Sequence, residues 1–227
     1  MDIASFRTQF PLFDAASPET LTMLLEGVSE REFPAGRAVL MEESWGNAVF
    51  FTLSGWLKVR SLHNQDTTTL AVLGKGDFFG EMAILDESPR STDVVAYDTV
   101  QLLSISAQRF VQALKQDSLL SYRLLQLMVK RLKKTNQRSQ LRFQAPAMRV
   151  VTVLLGLGQS YGAEVDGGIQ IYHLPVKDLG DLAEVSPNDT QKILDKLLEK
   201  NWLAADPQRH RLTLVDLKQL QQLSTPR

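Results

Sequence analysis

The sequence predicts an α+β fold in three parts: a β jelly roll over residues 1–116, a long helix over 117–144 and a winged helix-turn-helix over 145–227. Three patterns carry that reading. Between Glu32 and Ile105, short β-rich runs are punctuated by Gly, Asn and Asp, as in a roll or sandwich. From Ser106 to about Phe143, apolar residues recur at intervals of three and four, the period of a helix. Beyond Pro146, helical runs flank a tight turn and give way to a hairpin. A chain of 227 residues, 44% hydrophobic and 22% charged, has the apolar material to bury the cores this requires.

Taken in order, Met1 to Phe13 holds Asp2, Arg7 and Pro11 and does not read as a secretion signal, and no apolar run nears a membrane span. A cytoplasmic protein without membrane contact is expected. Ser17-Pro18-Glu19 supplies an N-cap, an N1 proline and a first-turn acid for a helix to about Val28. The clearest strands are 49–53, 56–60, 67–73, 94–96 and 100–105, enclosing an interior wide enough for a small ligand. Trp45, Trp56 and Trp202 read as core or turn packing. In the long helix Leu120, Leu124, Leu127, Met128, Leu132, Thr135 and Ser139 share a face. Some 25 residues span about 37 Å, more than one small roll covers. The surplus stripe therefore predicts the same helix of a second subunit as its partner; the alternative is a helix lying flat on its own roll. Pro146 breaks the run. Met148 to Leu157 reads as a helix ended by Gly156, Gly158 and Gly162, and 169–172 as a strand. Helices over 176–184 and 187–200 flank the turn, and 202–214 forms the wing.

The residues that carry chemistry lie between Gly76 and Thr92. Phe79-Gly80-Glu81 is followed, nine positions after the glutamate, by Arg90-Ser91. Gly80 lets backbone approach a ligand where a Cβ would collide. Met82 to Leu85 can close one helical turn whose free N–H groups favour an anion. Arg90 offers a planar fork of donors to a phosphate and Ser91 a hydroxyl. Glu81 would repel a phosphate, so it must face a donor such as a ribose hydroxyl. Read alone, the same residues also fit a turn with a surface ion pair.

This stretch resembles the phosphate-binding cassette of cyclic-nucleotide-binding domains. Phe33-Pro34-Ala35-Gly36, the runs 49–55 and 70–77, the long helix and the helix-turn-helix extend the likeness over nearly the whole chain, which resembles the CRP/FNR family of bacterial transcription regulators. The resemblance implies that Glu81 takes the ribose 2′-hydroxyl and that Arg90 and Ser91 take the cyclic phosphate. Phe79, Gly80, Met82, Leu70 and Leu73 would complete the pocket. Arg131 and Thr135 on the long helix match residues that reach the ligand, whereas Asn136 stands where the family's cAMP sensor has serine. The implied ligand is cAMP, with cGMP or a cyclic dinucleotide as alternatives, and no metal.

A net charge of −1 hides three blocks: −7 over 1–117, +7 over 118–144 and −1 over 145–227. The basic block suits a solvated helix face, a phosphate-binding surface or a dock for an acidic protein. In the predicted recognition helix the family's glycine turn is Glu184, and its Ser-Arg-Glu-Thr opening is Ser186-Pro187-Asn188-Asp189. Lys192 replaces a second arginine, losing the bidentate grip on guanine. Asn188 could read adenine, and Lys177, Ser186, Lys192 and Arg209 could hold phosphates of a palindromic operator. The chain has no cysteine, which excludes disulfides, iron–sulfur clusters and thiolate zinc sites. Its only histidines, His63, His173 and His210, do not supply an oxygenase's ligand set, and no histidine is spaced to activate Ser91. The expectation is a homodimeric, nucleotide-responsive regulator, not an enzyme, working with DNA and RNA polymerase. The alternative is a nucleotide-sensing relative acting through protein contact or heterodimerisation with a similar protein.

Overall fold

The structure is a computed structural model in which residues 3–63 and 66–225 are described. The chain forms two compact units, 1–67 with 71–136 and 68–70 with 137–227.

The first unit opens with α1 (Ile3–Gln9), a 3-10 turn (Pro11–Phe13) and α2 (Pro18–Leu25). No helix is expected from the sequence before Ser17, yet α1 forms because it delivers aromatics to the core. The rings of Phe6 and Phe13 stack at 4.5 Å, and Phe10 meets Phe51 edge-on at 5.3 Å. Ser17 caps α2 as its residue type predicts, its hydroxyl accepting from Thr20 N at 3.1 Å. The strands are β1 (Ser29–Phe33), β2 (Ala38–Leu40), β3 (Ala48–Ser54), β4 (Leu57–His63), β5 (Asp66–Leu73), β6 (Phe78–Phe79), β7 (Asp93–Ala96) and β8 (Val100–Ser106), with the short helix α3 (Met82–Leu85) between β6 and β7. They pair in two sheets, β1-β8-β3-β6 and β2-β7-β4-β5.

Strand alternation sorts the core into two layers. Phe50, Leu102 and Phe79 meet Leu40, Leu57, Val94 and Ala96 between the sheets. Val49, Phe51, Leu103 and Ile105 face the other way, toward the helices. Apolar residues on both faces of β3 make it a continuous hydrophobic run. β1 is missed by hydrophobic pattern because Ser29-Glu30-Arg31-Glu32 is an exposed, charged edge paired with β8.

The helical run divides at Asp117 into α4 (Ala107–Gln116) and α5 (Ser118–Leu141), the latter falling within the long helix expected over 117–144. Asp117 Oδ1 accepts from Leu120 N at 3.0 Å and Oδ2 from Ser17 N at 2.8 Å, so one carboxylate caps α5 and fastens the start of α2. Burial opposes the charge, but these amide bonds leave the carboxyl below its ordinary value.

A correction concerns the face of α5. Leu120 and Leu124 are buried in the roll's own core, with Leu127 and Met128 packed against it. Of the residues nominated for a partner, Leu132, Thr135 and Ser139 are exposed. The uncovered apolar stripe runs further round, through Leu119, Tyr122, Leu125, Val129 and Leu132, each about half or more exposed.

The second unit contains α6 (Pro146–Tyr161), β9 (Ala163–Val165), β10 (Gly168–Tyr172), α7 (Val176–Ala183), α8 (Pro187–Glu199), β11 (Leu203–Asp206), β12 (Arg211–Leu214) and α9 (Leu217–Ser224). Its sheet has the order β11-β12-β10-β9. Gly156 and Gly158 lie inside α6 rather than ending it. A Cβ on Gly158 would stand 2.9 Å from Leu214 Cδ1, so this glycine admits β12 to the helix. Among the described residues no helix is long and apolar enough to cross a membrane.

Candidate functional site

The chain between β6 and β7 returns two ionisable side chains to the interior: Glu81 is 2% exposed and Arg90 4%. Arg90 Nη2 donates to Ala48 O at 2.9 Å, and Nη1 donates to Gly80 O. Two glycines make room for the guanidinium. A Cβ on Gly46 would lie 2.7 Å from Arg90 Cζ, and one on Gly80 2.7 Å from Nη1. Gly80 also has φ 86, a conformation other residues adopt at a cost. Arg90's backbone is held as well, its N donating to Ser44 O and its O accepting from Glu43 N, each at 2.8 Å.

Glu81 meets the long helix. Arg131 Nη1 donates to Glu81 Oε1 and Nη2 to Phe78 O, both at 2.6 Å, and the guanidinium lies 4.3 Å from the centre of the Phe78 ring. Burial pushes the Glu81 carboxyl above its ordinary value, with Arg131 and Arg90 pulling against it. Burial lowers the Arg90 guanidinium in turn, opposed by Glu81. Glu81 thus lies between two cations, Arg90 buried with it beside Gly80 and Arg131 partly exposed on the long helix.

The other nominated residues sit differently. Phe79 belongs to the inter-sheet core, stacked on Phe50 at 5.5 Å, with Leu73 half-buried against the same core. Met82, Ser91, Asn136 and Thr135 are exposed, the Thr135 hydroxyl donating to Arg131 O at 3.1 Å. Leu70 is exposed and groups with the second unit. Gly46 and the Ala48 carbonyl escape a reading of the sequence because they join Arg90 only through strand pairing. Trp45, expected in core or turn packing, is 74% exposed and pairs by backbone with Pro89.

In the second unit α7 and α8 flank Glu184, whose backbone is left-handed (φ 54, ψ 40). Glu184 occupies the conformation glycine would take without strain. Arg142 Nε donates to its carboxylate and Arg149 Nη1 to its carbonyl, each at 2.9 Å. The bond from Arg142 holds the Glu184 carboxyl below its ordinary value. Ser186 caps α8, accepting from Asp189 N at 3.1 Å, while its hydroxyl donates to Asp189 Oδ2 at 2.8 Å. Asn188, Gln191 and Lys192 are exposed on the outer face of α8. Gln191, absent from the sequence-based choice, donates to Asp195 Oδ1 at 2.7 Å. Lys177 pairs with Asp181 at 2.9 Å, and Arg209 stands exposed at the wing turn. Among the described residues no group of three or more His, Cys, Asp or Glu is placed to hold a metal.

Comparison with known proteins agrees with this arrangement. The family description "Cyclic nucleotide-binding domain" matches residues 30–117. The cyclic AMP receptor protein of Thermus thermophilus is 28% identical over 204 residues, covering 87% of this chain and 89% of that protein. The CRP-like cAMP-activated global transcriptional regulator of Mycobacterium tuberculosis is 25% identical over 195 residues, covering 85% and 87%. The solved structure of FixK2 from Bradyrhizobium japonicum shares the fold, with TM-score 0.75 at 17% identity over 88% of this chain and 98% of that one. Residues 30–117 thus match a cyclic nucleotide-binding domain, and the chain as a whole is similar over most of its length to cAMP-responsive transcription regulators of the CRP type.

Proposed function

We propose that this chain is a homodimeric, cytoplasmic transcription regulator that answers to a cyclic nucleotide, cAMP in the first instance, and reads a palindromic DNA site. The buried pair Arg90 and Glu81, gathered around Gly80, carries the reading, because a cation and a carboxylate close together suit the phosphate and the hydroxyl of a sugar-phosphate. Arg90 with Ser91 would take the phosphate and Glu81 the ribose hydroxyl. That hydroxyl reaches Glu81 beside or in place of Arg131, so ligand and long helix compete for one carboxylate. A ligand moves such an equilibrium only by its differential affinity for the two states. The names of the Thermus and Mycobacterium relatives favour cAMP.

Calorimetric titration with cAMP, cGMP and a cyclic dinucleotide tests the ligand. Arg90→Leu is expected to abolish binding while unfolding stays cooperative; unchanged affinity would remove the assignment. Selection from a random DNA pool tests the output, and a palindromic site bound in a salt-sensitive way is expected. A second reading, a nucleotide-sensing partner protein without DNA reading of its own, is favoured by one observation. Asp189 puts a carboxylate at the opening of α8, where an operator phosphate would approach. No enrichment with or without nucleotide would select it.

A further inference from the structure

We infer that the outer face of the cassette, with the loop hydrogen-bonded to it, is a docking surface for a basic amphipathic segment of another protein. Four large apolar side chains stand in solvent there: Met41 (63% exposed), Trp45 (74%), Met82 (62%) and Leu85 (45%). They belong to two segments joined by backbone bonds. Trp45 bridges Pro89, Arg90 N donates to Ser44 O, and Glu43 N donates to Arg90 O. Ser88 N donates to Ala83 O and so folds α3, which bears Met82 and Leu85, onto the same loop. Leu62, 46% exposed, extends the patch, because its N donates to the carboxylate of Glu42 beside Met41 at 3.0 Å.

Single exposed apolar residues need no explanation, but a run of them on adjoining loops marks a contact surface. The rim names the partner. Glu43, Asp86 and Glu87 are exposed, Glu42 is half-buried, and segments 41–47 and 80–89 contain no lysine, arginine or histidine. That sign repels nucleic acid, anionic lipid and acidic peptides and attracts a basic chain. Met82 and Leu85, one turn apart, and the Trp45 indole fit the i, i+3, i+4 anchors of an amphipathic helix. The apolar stripe of α5, proposed for the second subunit, is a separate surface. The inference does not depend on which nucleotide, if any, the cassette holds.

The test places the photoreactive residue benzoylphenylalanine at position 45 of the full chain in its native cells and sequences the cross-linked peptide. A basic amphipathic segment is expected. Its synthetic copy should bind the purified chain and lose at least tenfold in affinity to Glu43→Lys/Glu87→Lys. Leu85→Glu, changed at an exposed position, should lose as much and guards against a fold defect in the double variant. Absence of a cross-link, capture of an acidic segment or of this same chain, or undiminished binding to both variants would overturn the inference.

Discussion

Glu81 is the residue on which most of the site's energetics turn. Its carboxyl is raised by burial despite the Arg131 guanidinium 2.6 Å away. In the ligand-free chain it therefore holds a proton at pH values where the unfolded chain has already lost its own. The stability this lends is complete below the ordinary glutamate value and is lost as pH rises through the raised one. The unfolding free energy of the wild type should fall across that window, whereas Glu81→Gln should be flat there, as denaturant titrations at stepped pH would reveal. A ribose hydroxyl donates more strongly to the ionised carboxylate than to the protonated acid, so nucleotide binding should release protons. Calorimetry in buffers of differing ionisation enthalpy reads that release directly; buffer-independent heats would contradict it. Gly80, Glu81 and Arg90 were legible because they share one short window of sequence. The pairing of Glu81 with Arg131, and the space that Gly46 gives Arg90, were not, because each joins segments that meet only in the folded sheet and helix.

At the scale of elements, the turn between α7 and α8 shows how a departure from the family pattern is accommodated. A left-handed non-glycine residue costs roughly 1–2 kcal/mol, and an exposed ion pair returns about 0–1 kcal/mol. Arg142 therefore offsets only part of the strain at Glu184. Glu184→Ala should lower the stability of the second unit by up to about 1 kcal/mol, since it keeps the strain and loses the pair. Glu184→Gly should restore the wild-type value or exceed it. Thermal unfolding of the three proteins checks the order, and Ala above wild type would refute it. The helices themselves were readable from caps and prolines at Ser17, Pro146 and Ser186. Which face of α5 the roll covers was not, since Leu120, Leu124 and Leu132 obey the same period and only the first two meet the core.

For the whole molecule, charge blocks and the α5 stripe bear on assembly. The +7 run over 118–144 offers less to a phosphate backbone than its sum suggests. Arg123 is paired with Asp14, Arg131 with Glu81 and Arg142 with Glu184, while Arg138 donates to Asp181 O. Lys130, Lys133 and Lys134 remain exposed. The salt dependence of operator binding should therefore rest on the second unit, with Lys192→Ala reducing its slope by about 1; an unchanged slope would remove Lys192 from the interface. The bare stripe from Leu119 to Leu132 is the surface proposed here for self-association. Leu125→Asp/Val129→Asp should sediment as a monomer at concentrations where the wild type is a dimer, and a dimeric double variant would place the interface elsewhere.

The sequence by itself determined the three-part architecture, the grouping of Gly80, Glu81 and Arg90, and the departure of the α8 opening from the pattern it resembles. These are written in local periods, caps and residues close together in the chain, where short-range sterics and hydrogen bonding decide. Only the tertiary structure decided that α1 plugs the roll, that Arg131 covers Glu81, that Trp45 stands in solvent, and that a different stripe of α5 is left bare. Each of those outcomes depends on which distant surfaces exclude water from one another, and hydrophobic burial is non-directional, so no local pattern specifies its partner.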